Sequence, residues 1–483
     1  MVTQGSIDQT RLAIADEGSG VNAPFCFTVM GDTDAGGVSQ PNSFSAGFAQ
    51  QLMQQIGESR FLLHTGDVTY PIGTYQNYLS GFLRPYRALI AVLPDKAQRS
   101  VVFRRPLLLV PGNHDYGRQP FWVGAPQRAL RFLCDRLRQF VGIDLGHYGG
   151  QGGEAYGKTF LDDLSRFSPK QLKQHLLDHY SARLDTADSD ASNPRGLDPL
   201  TSAPIYCLNY EPGHFTRLPN RYYRFRYGSV DFFALDSNTW KGDPANPGFD
   251  QAQLDWLVQG LIDSWRGSLG EAVSTPRSSG RILYLHHSPY TTENTRWQQS
   301  ETRWVRHHLR QALDRVKETL TAELGDPFLE SLNTLPLVNL IISGHAHCLE
   351  HIKTAQTGHA DSNLDWLVCG GSGLSIRRQR QAGANILGSL AVAGRRTTEV
   401  IARSQLYAGV HGHKGKNQHF HSFVKIDVKP GVHCELTIRP FVVVKSRSGW
   451  QTRALDKISI GLTAQATDSP PQRSLQNQLS TIS

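Results

Sequence analysis

Leu62-Leu63-His64-Thr65-Gly66-Asp67-Val68-Thr69-Tyr70 is an apolar run that ends in a glycine, a carboxylate and, three residues on, a phenol. A run of this kind reads as a buried strand. It delivers Asp67 and Tyr70 into the turn at its C-terminal end, the edge where open α/β sheets bind ligands. The layout recurs. Residues 25–30 run into Gly31-Asp32, and 106–110 into Gly112-Asn113-His114-Asp115. Residues 282–285 run into His286-His287, and 337–342 into Gly344-His345-Ala346-His347. The chain must therefore fold so that several strand ends, each carrying a polar donor, come together.

Between these runs the period changes. Phe44, Phe48, Leu52 and Ile56 recur every fourth residue and predict a helix from about residue 43 with one apolar stripe. Asp250 is placed to cap a second helix, with Leu254, Leu257, Val258, Leu261 and Trp265 on its buried side. Residues 222–227 and 230–235 flank Gly228-Ser229 and read as a hairpin. Residues 364–369, 423–428 and 433–444 read as further strands. Strands alternating with helices define an α/β class.

Two stretches interrupt that pattern and read as insertions, 117–215 and 376–420. The first holds an amphipathic helix with Leu130, Leu133, Leu137 and Val141, a helix begun by Ser168-Pro169, and a turn-rich loop at 185–204. The expected organisation is a polar N-terminal segment, 1–20, a catalytic domain, 21–460, and a Ser/Gln/Thr/Pro-rich disordered tail, 461–483.

The 483 residues carry a formal net charge of +8, which suits an anionic substrate or partner. The basic residues are mostly dispersed, so a solvated basic surface is the default, and nucleic acid is a partner not favoured. No secretory h-region or membrane-spanning run is found, so no membrane is expected and the compartment reads as cytoplasmic. The six cysteines are scattered, with Cys26, Cys348 and Cys369 within or beside apolar runs, and read as buried thiols.

Asp32, Asp67 with Tyr70, Asn113, His287, and His345 with His347 form a set of carboxylate, phenol, amide oxygen and imidazole. Such a set suits Fe, Mn or Zn and is too rich in histidine for Mg or Ca. Two ions need about this many protein ligands if each keeps a site open. A carboxylate such as Asp67 has two oxygens and can bridge them. Singly, Asp67, Asn113 and His347 read as ordinary turn residues. His64 reads as a core histidine and His286 as a packed strand-end histidine. Arg377, Arg378 and Arg380, with His411-Gly412-His413-Lys414, stay open between a solvated face and a contact to an anion.

In order, Gly31-Asp32, Gly66-Asp67-Val68-Thr69-Tyr70, Gly112-Asn113-His114, Leu285-His286-His287 and Gly344-His345-Ala346-His347 resemble the five blocks of the calcineurin-like metallophosphoesterases, and within them the purple acid phosphatases. The resemblance implies a four-layer αββα sandwich and hydrolysis of a small phosphate monoester at a binuclear metal site. A phosphodiesterase acting on cyclic nucleotides or nucleic acid is the alternative, and a non-catalytic nucleic-acid or scaffold binder is the reading from another class. It implies one ion, Fe(III), on Asp32, Tyr70 and His347 with Asp67 bridging. A second ion, Fe(II), Zn or Mn, would lie on Asn113, His287 and His345. A metal-activated hydroxide would attack phosphorus, and His114, supported by Asp115, would bind the substrate and protonate the leaving oxygen. His286 would stand as a further substrate contact. The chain departs from the family at Asp34, where purple acid phosphatases have glycine. The paired histidines that some plant members carry after the His-x-Pro block are also absent. Which of His286 and His287 ligates rests on alignment to His-x-Pro.

Overall fold

Three of the apolar runs, Phe25–Met30, Ser59–His64 and Leu107–Leu109, lie side by side as parallel strands. The structure is a computed structural model. It describes residues 6–16, 23–33, 41–93, 101–116, 153–182, 205–238, 248–269, 278–332, 335–373, 375–392, 395–411, 418–431, 434–447 and 449–461. The parallel trio continues through antiparallel His421–Lys429 and Glu435–Ser446 into a seven-stranded sheet. A second sheet of eleven strands is built around parallel Val230–Ala234, Gly280–Tyr284, Leu340–Ser343 and Asp365–Cys369.

The parallel strands are continuous apolar runs because both of their faces are covered. Phe27 and Phe61 of the smaller sheet meet Phe232 of the larger one edge to face, each with ring centroids 5.4 Å apart. Aromatic pairs prefer that geometry over a face-to-face sandwich. On the other face of the smaller sheet, Phe44 and Phe48 of helix Pro41–Gln55 pack on Trp450 and Phe423. On the larger sheet, Phe233, Leu283 and Ile341 share a core with Leu261 and Trp265 of helix Gln251–Leu269 and Val305 and Leu309 of helix Ser300–Leu324. The α/β class is as expected.

Local signals hold where they can be read. Gln253 N donates to Asp250 Oδ1 at 2.9 Å, the expected cap. Ser168 and Gln171 form a capping box at the start of helix Pro169–His179. Tyr223–Tyr227 and Val230–Ala234 pair antiparallel around Gly228, whose φ of 56° explains the glycine.

The expected domain limits change. Ser6–Ile14, placed ahead of the domain by its polarity, is an inner strand of the larger sheet, between Ile205–Tyr210 and Tyr223–Tyr227. Its Leu12 and Ile14 are buried in a stretch that is otherwise mostly polar, a pattern too short to stand out. Ile205–Tyr210 and Tyr180–Ala182, assigned to the first insertion, complete that edge. Asn385–Val392 and Arg395–Ala408, from the second, extend the opposite edge. Asp34, the 130–141 helix, residues 185–204, His413-Lys414 and the tail from 462 lie outside the described residues. Among the described residues no helix is long and apolar enough to cross a membrane.

Candidate metal centre

The turns after the strands are sharp. Asp32, Asp67 and His345 have φ of 55°, 50° and 64°, and beyond them Asn363 is the one other non-glycine residue with positive φ among the described residues. L-residues rarely adopt this conformation, and where they do the surrounding structure must hold them. Here it lets the chain turn back at the strand end and aim two carboxylates and an imidazole at one point. Gly66, φ 93°, precedes Asp67 because a Cβ there would stand 2.7 Å from Gly112 N and 2.8 Å from His286 Nδ1.

Two groups result. In the first, Tyr70 Oη lies 2.9 Å from Asp32 Oδ1, 2.9 Å from Asp67 Oδ2 and 3.2 Å from His347 Nε2. In the second, His286 Nε2 lies 3.0 Å from Asn113 Oδ1, 3.1 Å from His345 Nδ1 and 3.4 Å from Asp67 Oδ2. Asp67 belongs to both. His286, His287 and His345 offer ring nitrogens within 4.8 Å of one another, as Asp32, Asp67 and His286 offer their donor atoms. Every one of these side chains but Tyr70 is buried, and Tyr70 is half-buried.

The hydrogen bonds fix which ring atoms face the centre. His286 Nδ1 stands 2.9 Å from Thr65 O and His347 Nδ1 2.6 Å from Ser375 O. A carbonyl only accepts, so each Nδ1 carries the proton and each Nε2 presents its lone pair inward. His287 Nδ1 is 2.8 Å from Ser237 Oγ, while Nε2 of both His287 and His345 is buried without a hydrogen-bond partner. Carboxylate, amide and imidazole acceptors are thus turned toward one another with few protons between them. Buried acceptors in that arrangement need a cation, and imidazoles held by a carbonyl or hydroxyl at the far nitrogen are prepared for one. The residues present could hold a metal ion.

The electrostatics agree. Burial and the neighbouring Asp67 push the Asp32 carboxyl well above its ordinary range. At Asp67 burial pushes upward too, but His286, His114 and the bonds from His114 N and Tyr70 outweigh it and hold the carboxyl below its usual value. Two buried carboxylates sharing a site cannot both ionise without compensation. Burial, then Asp32 and Asp67, raise the Tyr70 phenol well above its usual value. Burial lowers His286, and lowers His287 and His345 further, so these rings are neutral and their lone pairs available.

All seven expected ligands, Asp32, Asp67, Tyr70, Asn113, His287, His345 and His347, stand at or beside this cluster. His286, expected as a substrate contact, sits at its middle, among Asn113, His345 and Asp67. His114 has Nε2 at 4.0 Å from Asp67 Oδ2, Nδ1 at 2.6 Å from Pro71 O, and a backbone N–H donating to Asp67 Oδ1 at 2.8 Å. Asp115 hydrogen-bonds elsewhere than at the His114 ring. Its carboxylate accepts from Gly112 N at 2.8 Å, Val68 N at 3.3 Å and Tyr78 Oη at 2.9 Å, tying two ligand-bearing turns together. Its backbone lies within the short helix Asn113–Tyr116, which turns adjacent side chains to different faces. His64 is a core histidine, 3.0 Å from Thr33 Oγ1 through Nε2 and accepting from Gly66 N through Nδ1. Sequence reading missed Ser237 and Arg296, a buried arginine whose charge acts on Asp32, His286, His287 and His345. An arginine twelve residues beyond the end of its strand gives no signal of its own.

No protein-family model matches the chain, and no curated protein does. Among solved structures it is similar to the purple acid phosphatase PPD1 isolated from yellow lupin (Lupinus luteus) seeds. That likeness has 14% identity and a TM-score of 0.46 over 91% of this chain and 54% of that one. It is also similar to GAP50, the anchor in the inner membrane complex of Plasmodium, with 13% identity and a TM-score of 0.36 over 90% of this chain and 89% of that one. The chain spans about half the length of the lupin protein.

Proposed function

We propose that this protein is a metal-dependent phosphoesterase that hydrolyses small phosphate monoesters at a two-metal centre, in a four-layer αββα fold of the metallophosphoesterase type. The observation that carries this is the convergence of five strand ends on two donor groups that share Asp67, with two buried imidazole nitrogens left without partners. Asp32, Tyr70, His347 and Asp67 would hold one ion. Asp67, Asn113, His345 and His286 or His287 would hold the other. The tyrosine favours Fe(III) in the first place, with Fe(II), Zn or Mn in the second. When bound, two such ions lower the pKa of water and neutralise charge on phosphoryl oxygens.

The chain's own residues do the rest. The Asp67 carboxylate is oriented by His114 N at Oδ1 and by Tyr70 Oη at Oδ2, and Oδ2 faces both donor groups. Thr65 O, Ser375 O and Ser237 Oγ fix the rings of His286, His347 and His287. His114, anchored through Nδ1 at Pro71 O, turns Nε2 toward the centre and is the group that passes a proton to the leaving oxygen. The cysteines described are all buried and free, which supports a reducing, cytoplasmic compartment.

Elemental analysis and a visible spectrum test the reading, with a Tyr70→Phe variant alongside and aryl phosphate as substrate. Two metals per chain including iron, a visible band lost in the variant, and phosphate release are expected. Metal without the band would move the centre to Mn or Zn. Absence of bound metal after reconstitution, with no ester turned over, would refute it.

A further inference from the structure

Strand Gly280–Tyr284 ends before His286 and His287, so the alternation that sends neighbouring side chains to opposite faces has ended too. Both rings are buried, with centroids 4.9 Å apart, and each is held differently. Thr65 O takes the His286 Nδ1 proton at 2.9 Å, which leaves Nε2 bare. Around that nitrogen stand Asn113 Oδ1 at 3.0 Å, His345 Nδ1 at 3.1 Å and Asp67 Oδ2 at 3.4 Å. Donors bound to one zinc-sized ion at about 2.0–2.1 Å stand about 3.0–3.4 Å from one another. All three distances match that spacing. Hydrogen bonding explains one of them at most, because an amide oxygen and a carboxylate only accept, and His345 Nδ1 is the one neighbour with a proton to offer.

His287 is fastened instead to Ser237. The serine Oγ accepts from His287 N at 3.1 Å and lies 2.8 Å from Nδ1, so one hydroxyl grips backbone and ring together. The adjoining peptide is fixed again where Gly344 N donates to His286 O at 2.9 Å, which joins it to the turn that carries His345. Downstream a short antiparallel ladder holds the chain, with Asn294 N donating to Arg378 O at 3.0 Å and Arg380 N to Thr292 O at 2.8 Å. What His287 fastens is therefore the turn from which His286 projects. Nε2 of His287 lacks a hydrogen-bond partner, and so does Nε2 of His345, whose ring centroid is 4.5 Å away. An ion on His345 Nδ1 leaves that ring's proton on Nε2, a donor on the ring next to an imidazole that lacks one.

We propose that His286 Nε2, with His345 Nδ1, Asn113 Oδ1 and Asp67 Oδ2, holds the second ion, and that His287 and Ser237 are a positioning pair that sets this turn. The assignment reverses the one that alignment to His-x-Pro gives, and it rests on the metal-centre reading above. Losing a partner that fixes a metal-bound histidine typically lowers affinity about 10–100-fold.

X-ray absorption at the zinc edge, on protein carrying one equivalent of zinc, counts the imidazoles on the ion, and chelator competition gives its affinity. Wild type is expected to show two imidazoles and His286→Gln one. His287→Leu is expected to keep two while binding zinc about tenfold more weakly or worse. His287→Asn, which keeps a polar atom for Ser237, restores most of that loss. One imidazole in His287→Leu with two in His286→Gln overturns the assignment, as does a third imidazole in wild type or an unmoved affinity in His287→Leu. Should the histidine variants fail to fold, Ser237→Ala carries the test: two imidazoles with weaker zinc uphold the pair, and wild-type affinity overturns it. A wild type that takes up no zinc refutes the metal centre itself and this assignment with it. Zinc bound as expected by a protein that hydrolyses no ester refutes the hydrolase and upholds the assignment.

Discussion

Replacing Asp115 separates two roles for one carboxylate. Its oxygens receive Gly112 N, Val68 N and Tyr78 Oη, all buried. Asp115→Ala strips the acceptor from all three, and a buried donor left unsatisfied costs about 1–3 kcal/mol. With part of that recovered by relaxation, the variant should lose about 3–6 kcal/mol. Burial and nearby Asp67 raise the Asp115 carboxyl to about 8, so at pH 7 the metal-free protein carries it mainly as the neutral acid. Asn is nearly its isostere. It keeps one oxygen for the two amides and turns its NH₂ to the Tyr78 hydroxyl, so Asp115→Asn should lose only about 1 kcal/mol. Urea unfolding of chelator-treated protein at pH 7 measures both. Equal losses for Ala and Asn, or a loss below about 1 kcal/mol for Ala, would refute the tether. The other role, chemical support of His114, predicts the reverse: Asn would abolish turnover while stability stayed.

Acid should weaken the fold through two buried histidines. Burial lowers His64 to about 3 and His421 to about 4, below the ordinary 6.5. Each therefore contributes stability that is whole above pH 6.5 and is lost as pH falls toward its folded value, at about 1.4 kcal/mol per pH unit. Urea midpoints at pH 7, 6 and 5 should show that slope, reduced in His421→Gln, and an unreduced slope would count against it. Phe61→Ala opens the interface where Phe61 meets Phe27 at 5.0 Å and Phe232 at 5.4 Å, for an expected loss of about 3–5 kcal/mol in the same assay. Gly66→Ala should lose metal on dialysis as well as stability, since φ is 93° and the new Cβ would meet Gly112 N at 2.7 Å. Wild-type metal retention would show that the turn yields.

The donor set was legible because each donor follows an apolar run directly, so local order alone put Asp32, Asp67, Asn113 and His345 at strand ends. What local order leaves open is direction. His286 and His287 are neighbours, and alignment favoured His287. Both rings reach the cluster, His286 Nε2 between Asn113 and Asp67 and His287 with Nδ1 on Ser237 and Nε2 without a hydrogen-bond partner. The ladder between 292–294 and 378–380 joins segments more than eighty residues apart, and its bonds are mostly backbone, to which side-chain identity is silent. Ser6–Ile14 was lost because five of its nine residues are polar or charged, although its pairing needs mainly backbone and two inward apolar side chains.

The left-handed turns at Asp32, Asp67 and His345 set function against persistence. At each, glycine would relieve the backbone, and at a left-handed site asparagine is tolerated better than most residues. The substitution that most helps the chain stay folded is therefore one that removes a donor. A chain with no need for these donors would gain most by substitution at these three positions first.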